Sequence, residues 1–159
     1  MTAEEAFDRY HQAVFQFAYR LTLRADAAED ITQECFLAFL RAPERFDSLR
    51  GSVKTYLFAI ARNLVLKGYR DNHAETPLDG AEVAIERPGA ELASVVAQAV
   101  AALPPLQREA VVLFEYEGLT LEEIAQVAGA DAGTIKSRLH RARESLKKAL
   151  GPKERVRDV

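Results

Sequence analysis

Apolar residues recur every three or four positions along most of the chain, which is the period of an amphipathic α-helix. The period predicts one long helix over Glu4–Leu23 and a second that runs to about Arg41, before Pro43 stops it. A third long helix is predicted from about Val53 to Tyr69, after a polar loop over Arg45–Lys54. Because no segment alternates convincingly as a β-strand would, the sequence predicts an all-α fold.

Helix start and stop signals refine this pattern. Asp26 and Glu29 have the spacing of an N-cap and its N3 partner, and so predict the start of the second helix. Ala93–Leu103 is predicted as a further helix. The pair Pro104–Pro105 starts the next helix, where proline is tolerated, and Gly118 ends it.

The helical period is lost over residues 73–92, which hold two prolines, two glycines and five acidic residues against one arginine. Such a composition is typical of a linker. The sequence therefore predicts two small helical domains, residues 1–72 and 93–151, joined by an acidic linker over 73–92. The tail over 152–159 is predicted to be frayed.

Residues 119–149 have the pattern of a helix-turn-helix. Thr120 and Glu123 form a capping box for the first helix, Gly129 can supply the left-handed turn that ends it, and Asp131 can cap the second helix. One apolar stripe along the second helix must pack against other helices. The stripe consists of Ile135, Leu139, Ala142 and Leu146.

The opposite face of this second helix is basic. Between residues 134 and 148 the sequence has six basic residues and one acid. A helix with this charge and with small residues at its N-terminal end suits the major groove of DNA and its phosphates. The alternative is a solvated cationic face on an ordinary bundle helix, but the cap, the turn and the stripe together favour DNA.

Composition changes this picture in one respect. The chain has 159 residues, of which 48% are hydrophobic and 28% charged, as in an ordinary globular protein. Its net charge of −3 is unusual for a protein that binds DNA. Because the charges are segregated, a basic helix lies in a chain whose remainder repels DNA. We therefore expect weak DNA binding by the chain alone and delivery to DNA by a larger partner.

Little in the sequence indicates catalysis or metal binding. Cys35 is the only cysteine, so no intramolecular disulfide forms, and its apolar helical surroundings predict a core residue. The histidines His11, His73 and His140 are too scattered for an obvious metal set, and no carboxylates cluster with them as a nuclease requires. We expect no cofactor and no enzyme activity. Without a transmembrane run or a signal-peptide pattern, the expected location is the cytoplasm.

The third predicted helix carries a second candidate surface. Tyr56, Asn63, Lys67 and Arg70 fall on one strip of it, next to the polar loop. An aromatic ring, an amide and two cations supply a stacking plane, hydrogen bonds to base edges and charges for phosphates, as a single-stranded nucleic acid requires. The alternative is a tyrosine at the edge of the core beside a solvated cationic face.

Four segments in order resemble the extracytoplasmic-function (ECF, group 4) sigma factors, the minimal sigma-70 type with only region 2 and region 4. A helix-turn-helix alone is a weak signal, because response regulators share one, whereas the ordered set is specific. The segments are DAAEDITQECFLAFLR (Asp26–Arg41), TYLFAIARNLVLKGYR (Thr55–Arg70), ALPPLQREAVVLFEYEGLTLEEIA (Ala102–Ala125) and GTIKSRLHRARESLKKAL (Gly133–Leu150).

The resemblance implies roles for three groups of residues. In the family, the helix that holds Asp30, Gln33 and Glu34 docks on the β′ clamp helices of core RNA polymerase, and the β flap is a further polymerase contact. The loop and strip correspond to the part that grips the melted minus-ten element, here Asp47, Ser48, Arg50, Tyr56, Asn63 and Lys67. The reading helix for the minus-thirty-five element corresponds to Thr134, Lys136, Ser137, Arg138, His140 and Arg141, with Arg138 expected to hold phosphates or to pack.

The resemblance further implies a function: binding of core RNA polymerase, promoter-specific initiation of transcription, and control by an anti-sigma factor. Three residues depart from the common family pattern and affect the promoter sequence that is read. They are Tyr56, where the family usually has tryptophan, Phe114 and His140. Two alternatives remain. One is a helix-turn-helix regulator that binds an operator without polymerase. The other is a sigma mimic that binds an anti-sigma factor and never reaches DNA, although the intact basic face argues against it.

Overall fold

The computed structural model describes residues 1–72 and 94–151, and within these ranges all regular structure is helical. The first half contains α1 (Ala3–Thr22), α2 (Ala25–Arg41), a short 3₁₀ turn (Pro43–Arg45) and α3 (Val53–Asn72). The second half contains α4 (Val95–Ala101), α5 (Pro105–Val111), a π-helical continuation of α5 (Val112–Tyr116), α6 (Leu121–Ala128) and α7 (Ala132–Leu150). The predictions for the linker over 73–92 and the tail over 152–159 lie outside the described residues.

The N-terminal bundle begins with a cap that the sequence analysis did not identify. Thr2 and Glu5 form a capping box at the start of α1. The helix ends at Leu23, whose φ of 62° makes it the one described non-glycine residue in the left-handed region. After this sharp turn Arg24 has an extended backbone conformation, and α2 therefore starts at Ala25.

The predicted N-cap role of Asp26 is wrong. Arg24 occupies the N-cap position of α2 without a side-chain cap, and Asp26 lies in the first turn. There its carboxylate accepts hydrogen bonds from the Ala27 backbone N–H at 2.9 Å and from Arg24 at 3.2 Å. The spacing of Asp26 and Glu29 is that of an N-cap and its partner. However, the turn at Leu23 makes α2 start at Ala25, so that Asp26 is already inside the helix.

The caps predicted in the second half are confirmed. The Thr120 hydroxyl accepts from the backbone N–H of Glu123 at 3.1 Å, and the Glu123 carboxylate accepts from that of Thr120 at 2.9 Å. Gly129 ends α6 with a φ of 63°, and Asp131 accepts from the backbone N–H of Thr134 at 2.7 Å. These contacts fix the angle between α6 and α7, and so the direction in which α7 presents its exposed face.

The two halves share one apolar core. In the first half α1, α2 and α3 pack together, with the rings of Phe17 and Phe58 fully buried and their centroids 4.9 Å apart. In the second half α4, α5 and α6 pack against the apolar stripe of α7. Contacts of α3 with α6, and of α1 with α5, join the halves, so that a single buried cluster extends from Ala6 to Leu150.

Cys35 is a core residue, as predicted. It is fully buried on α2, and its thiol donates to the backbone carbonyl of Leu57 at 3.3 Å. Burial disfavours the thiolate and raises the pKa of Cys35 to about 12.

We expect the Cys35 thiol to resist alkylation while the protein is folded, because the thiolate is the reactive species and its pKa lies far above neutral. Iodoacetamide labelling at pH 8, followed by mass spectrometry, should leave the native chain unmodified and should modify it fully in denaturant. Rapid labelling of the native chain would contradict this burial.

Candidate nucleic-acid interface

Helix α7 separates its apolar and polar residues as its sequence predicts. Ile135, Leu139, Ala142 and Leu146 are all buried. On the other side, four of the residues predicted to read DNA are exposed together, while Thr134 is half-buried at the N-terminal end of the helix. The exposed four are Lys136, Ser137, His140 and Arg141.

Arg138 is the predicted contact that the structure places apart from this exposed group. It is half-buried, and its Nε and Nη1 atoms are buried with no hydrogen-bond partner among the described residues. Burial raises the pKa of Glu109 on α5, whereas the positive charges of Arg62 and, to a smaller extent, Arg138 lower it. In this conformation the Arg138 guanidinium therefore faces inward.

The loop before α3 is a compact turn with an exposed apolar tip. The Asp47 carboxylate accepts from the backbone N–H of Leu49 at 3.0 Å, and the Asp47 carbonyl accepts from that of Arg50 at 3.0 Å. Ser52 then starts α3, because its hydroxyl accepts from the backbone N–H of Thr55 at 3.1 Å. The turn leaves Asp47, Ser48 and Arg50 exposed and holds Leu49 at 94% exposure.

Sequence reasoning missed Leu49. It lies at the exposed tip of the loop, among three polar residues that were predicted to grip DNA. An apolar side chain inside an otherwise polar loop was the signal that could have identified it.

Tyr56 lies at the first turn of α3, with its ring half-buried in an aromatic cluster. Its centroid is 5.3 Å from that of Phe46 and 6.1 Å from that of Phe39, both in edge-to-face geometry. The cluster fixes the position of the tyrosine next to the loop. Asn63 and Lys67 follow along the same helix, and both are exposed.

The predicted polymerase contacts on α2 form one exposed surface. Asp30, Gln33 and Glu34 are all exposed. Leu37 and Leu40, which the sequence analysis did not single out, are 38% and 61% exposed further along the same helix. Acidic and apolar side chains together suit a protein partner better than DNA, because phosphates repel carboxylates.

The part of the chain that the structure describes contains no group of three or more His, Cys, Asp or Glu residues arranged to hold a metal ion. Within the same ranges, none of the helices is both long and apolar enough to cross a membrane.

The fold defines the class: an all-helical protein in which a three-helix bundle precedes a helix-turn-helix unit. Residues 6–75 match the family model of Sigma-70 region 2, and residues 94–146 match that of Sigma-70, region 4. The chain belongs to the sigma-70 family of RNA polymerase sigma factors, and its relatives place it in the ECF group.

Two relatives illustrate the similarity. The ECF RNA polymerase sigma factor SigW of Bacillus subtilis is 34% identical over 164 residues, which cover 90% of this chain and 86% of that protein. The ECF RNA polymerase sigma factor SigE of Mycolicibacterium smegmatis is 34% identical over 92% of this chain. This chain spans 61% of the length of that second relative.

Solved structures give the same result for the fold. The sigma factor RpoE, in complex with the anti-sigma factor NepR from Bartonella quintana, matches with a TM-score of 0.74 at 25% identity, covering 95% of this chain and 98% of that one. CnrH, in complex with the cytosolic domain of CnrY, matches with a TM-score of 0.72 at 26% identity, covering 93% of this chain and 86% of that one.

Proposed function

We propose that this chain binds core RNA polymerase and directs it to a specific set of promoters, with no covalent chemistry of its own. The proposal is supported by one observation: this sigma-70 chain has two separate polar surfaces that differ in their residue types. One is the exposed face of α7, and the other is the loop over 46–52 with the adjoining strip of α3.

Helix α7 reads the minus-thirty-five element as a duplex. Its exposed face carries two cations, a hydroxyl and an imidazole, and Asp131 fixes its N-terminus. Arg141 is the residue best suited to read a guanine, because a guanidinium can donate two parallel hydrogen bonds to the guanine edge in the major groove. Lys136 supplies charge for the phosphates.

The loop and α3 capture the minus-ten element as separated strand. Unstacking a base costs a few kcal/mol, so a pocket that binds the flipped base can compensate for melting. Tyr56 supplies an aromatic edge or face, Asn63 an amide for a base edge, and Lys67 a charge for the backbone. Asp47, Ser48 and Arg50 complete the polar side of this pocket.

The remaining partners follow from the same assignment. Asp30, Gln33 and Glu34 dock on the β′ clamp helices, and region 4 meets the β flap. An anti-sigma factor holds the chain inactive, a proposal supported by similarity to sigma factors whose structures are complexes with anti-sigma factors. The site of action is the bacterial cytoplasm, where the polymerase is.

Transcription with purified components tests this function. We expect core RNA polymerase plus this chain to give discrete run-off transcripts from genomic templates, whose sequencing identifies the promoters. No stimulation over core enzyme alone would reject the proposal. A tight footprint on duplex DNA by the chain alone, without polymerase, would instead favour the operator-binding regulator.

A further inference from the structure

Glu109 on α5 is a buried carboxylate with a hydrogen-bond partner on only one of its two oxygens. Its side chain is 4% exposed, and Arg62 Nε on α3 donates to Oε1 at 2.6 Å. The other oxygen, Oε2, is buried with no hydrogen-bond partner within residues 1–72 and 94–151. A buried charged oxygen without a partner costs free energy, because the hydrogen bonds that it makes with water are not replaced. A second cation for Glu109 is therefore to be expected nearby.

Arg138 on α7 is the cation that complements this oxygen. Its Nε and Nη1 atoms are themselves buried and lack a hydrogen-bond partner in the described part of the chain. Helices α5 and α7 pack directly against each other. Burial raises the pKa of Glu109, whereas the charges of Arg62 and, to a smaller extent, Arg138 lower it, so the Arg138 charge lies within electrostatic range of the carboxylate. Two unsatisfied groups of opposite charge thus lie close together on two packed helices.

Arg138 lies at the border between the buried and the DNA-facing sides of α7. It is half-buried, as is Thr134 one turn before it, whereas Arg141, one turn after it, is exposed. Residues three or four apart are neighbours on a helix surface. At such a border a long cationic side chain can keep its head inside or extend it into solvent. Extended outward, the Arg138 guanidinium would be a further cation for the DNA phosphates beside Arg141.

We propose that Glu109 is a positioning residue for the recognition helix: it holds the Arg138 guanidinium inward, against α5, and so keeps this cation away from the DNA phosphates. The effect at DNA rests on the proposed function, whereas the inward position is a property of the free chain. Phosphate contacts strengthen binding without carrying sequence information directly. Withholding one of them lowers the affinity for all DNA sequences and leaves recognition to the exposed face of α7.

The salt dependence of DNA binding tests this role, because each neutralised phosphate adds about 0.9 to the slope of log K against log salt. Glu109→Gln removes the anion, and a buried guanidinium without an anion is costly, so Arg138 should turn outward. We expect holoenzyme with Glu109→Gln to have a slope steeper by about 0.9 than the unmodified holoenzyme, on a promoter duplex recovered by the run-off experiment. Adding Arg138→Gln should restore the original slope. An unchanged slope in Glu109→Gln, or no restoration in the double variant, would overturn the proposal.

Arg62→Gln is the matched control. It breaks the same buried ion pair as Glu109→Gln, but it leaves the Glu109 carboxylate in place to hold Arg138. We therefore expect the slope of the unmodified holoenzyme. If Arg62→Gln steepened the slope as much as Glu109→Gln does, the cause would be a general loosening of the structure, and the positioning role would be rejected.

A second comparison decides the matter if Glu109→Gln does not fold. Arg138→Gln and Lys136→Gln each remove one cation from α7, and Lys136 is exposed. We expect Lys136→Gln to reduce the slope by about 0.9 and Arg138→Gln to leave it unchanged, since an inward guanidinium contacts no phosphate. Equal reductions by the two variants would overturn the proposal, because Arg138 would then already lie on the DNA.

Nuclear magnetic resonance of the free chain tests the inward position without DNA or polymerase. The Arg138 Nε–H resonance is assigned by its loss in Arg138→Gln, and the exposed Arg9 on α1 serves as the reference. We expect the Arg138 Nε–H to exchange with water about tenfold more slowly than that of Arg9, and to lose this protection in Glu109→Gln. Similar exchange at Arg138 and Arg9 would overturn the proposal. A protected Arg138 in a chain whose holoenzyme binds no promoter would instead reject the proposed function.

Discussion

Replacing Arg141 by alanine is expected to lower promoter-directed transcription by about 5- to 150-fold, which corresponds to the 1–3 kcal/mol of a two-pronged contact with guanine. Arg141 is exposed on α7, on the face opposite the buried stripe. The expected loss is specific for one base pair, because a guanidinium fits the two acceptors of guanine and no other base edge as well. Run-off transcription from the native promoter measures it.

The control for Arg141→Ala is Lys148→Ala, an exposed cation in the last turn of the same helix. It removes the same charge but lies far from the N-terminal end that enters the groove. We expect Lys148→Ala to weaken binding slightly and equally at all promoters. A template series with each base pair of the upstream element changed in turn should lose discrimination at one position in Arg141→Ala only. Unchanged discrimination would reject the base-reading role of Arg141.

Replacing Phe58 by alanine is expected to lower the free energy of unfolding by about 3–5 kcal/mol, through lost transfer free energy and the cavity left behind. Phe58 is fully buried on α3 and packs against Phe17. Since a domain is commonly stable by only about 5–15 kcal/mol, this is a large share of the total. Denaturant titration followed by circular dichroism measures the loss.

Phe7→Ala on α1 is the matched control, because it removes the same atoms from a ring that is 44% exposed. Phe7 contacts His11 and Phe36 but lies at the edge of the core. We expect it to cost much less stability than Phe58→Ala. Equal losses would show that Phe58 lies in a less tightly packed environment than its burial indicates.

Much of the local structure was predictable because it depends on neighbours in sequence. The capping box of Thr120 and Glu123, the left-handed Gly129 and the cap by Asp131 each involve residues at most four positions apart. The Asp26 prediction failed for a related reason. The start of α2 was set by the backbone turn at Leu23. This residue has a left-handed backbone conformation, which a leucine in the sequence does not predict.

The candidate site was predictable in its residue types and only in part in its arrangement. The exposed face of α7 follows from the helical period, since the buried stripe leaves one face for solvent. Leu49 and the aromatic cluster of Phe39, Phe46 and Tyr56 were not foreseen. Their exposure and contacts depend on where the loop folds back onto the helices, which involves residues distant in sequence.

By itself the sequence determined the helices, the caps of α6 and α7, the exposed basic face of α7 and the resemblance to sigma factors, because these follow from short-range hydrogen bonds, helical period and residue order. Only the tertiary structure decided that Arg138 faces inward, that Arg62 pairs with Glu109 and that the loop before α3 lies against α6 and the start of α7. The physical reason is that burial, and the pairing of charges that burial requires, depend on which surfaces meet, and residues as far apart as Arg50 and Gln126 meet only in the folded chain.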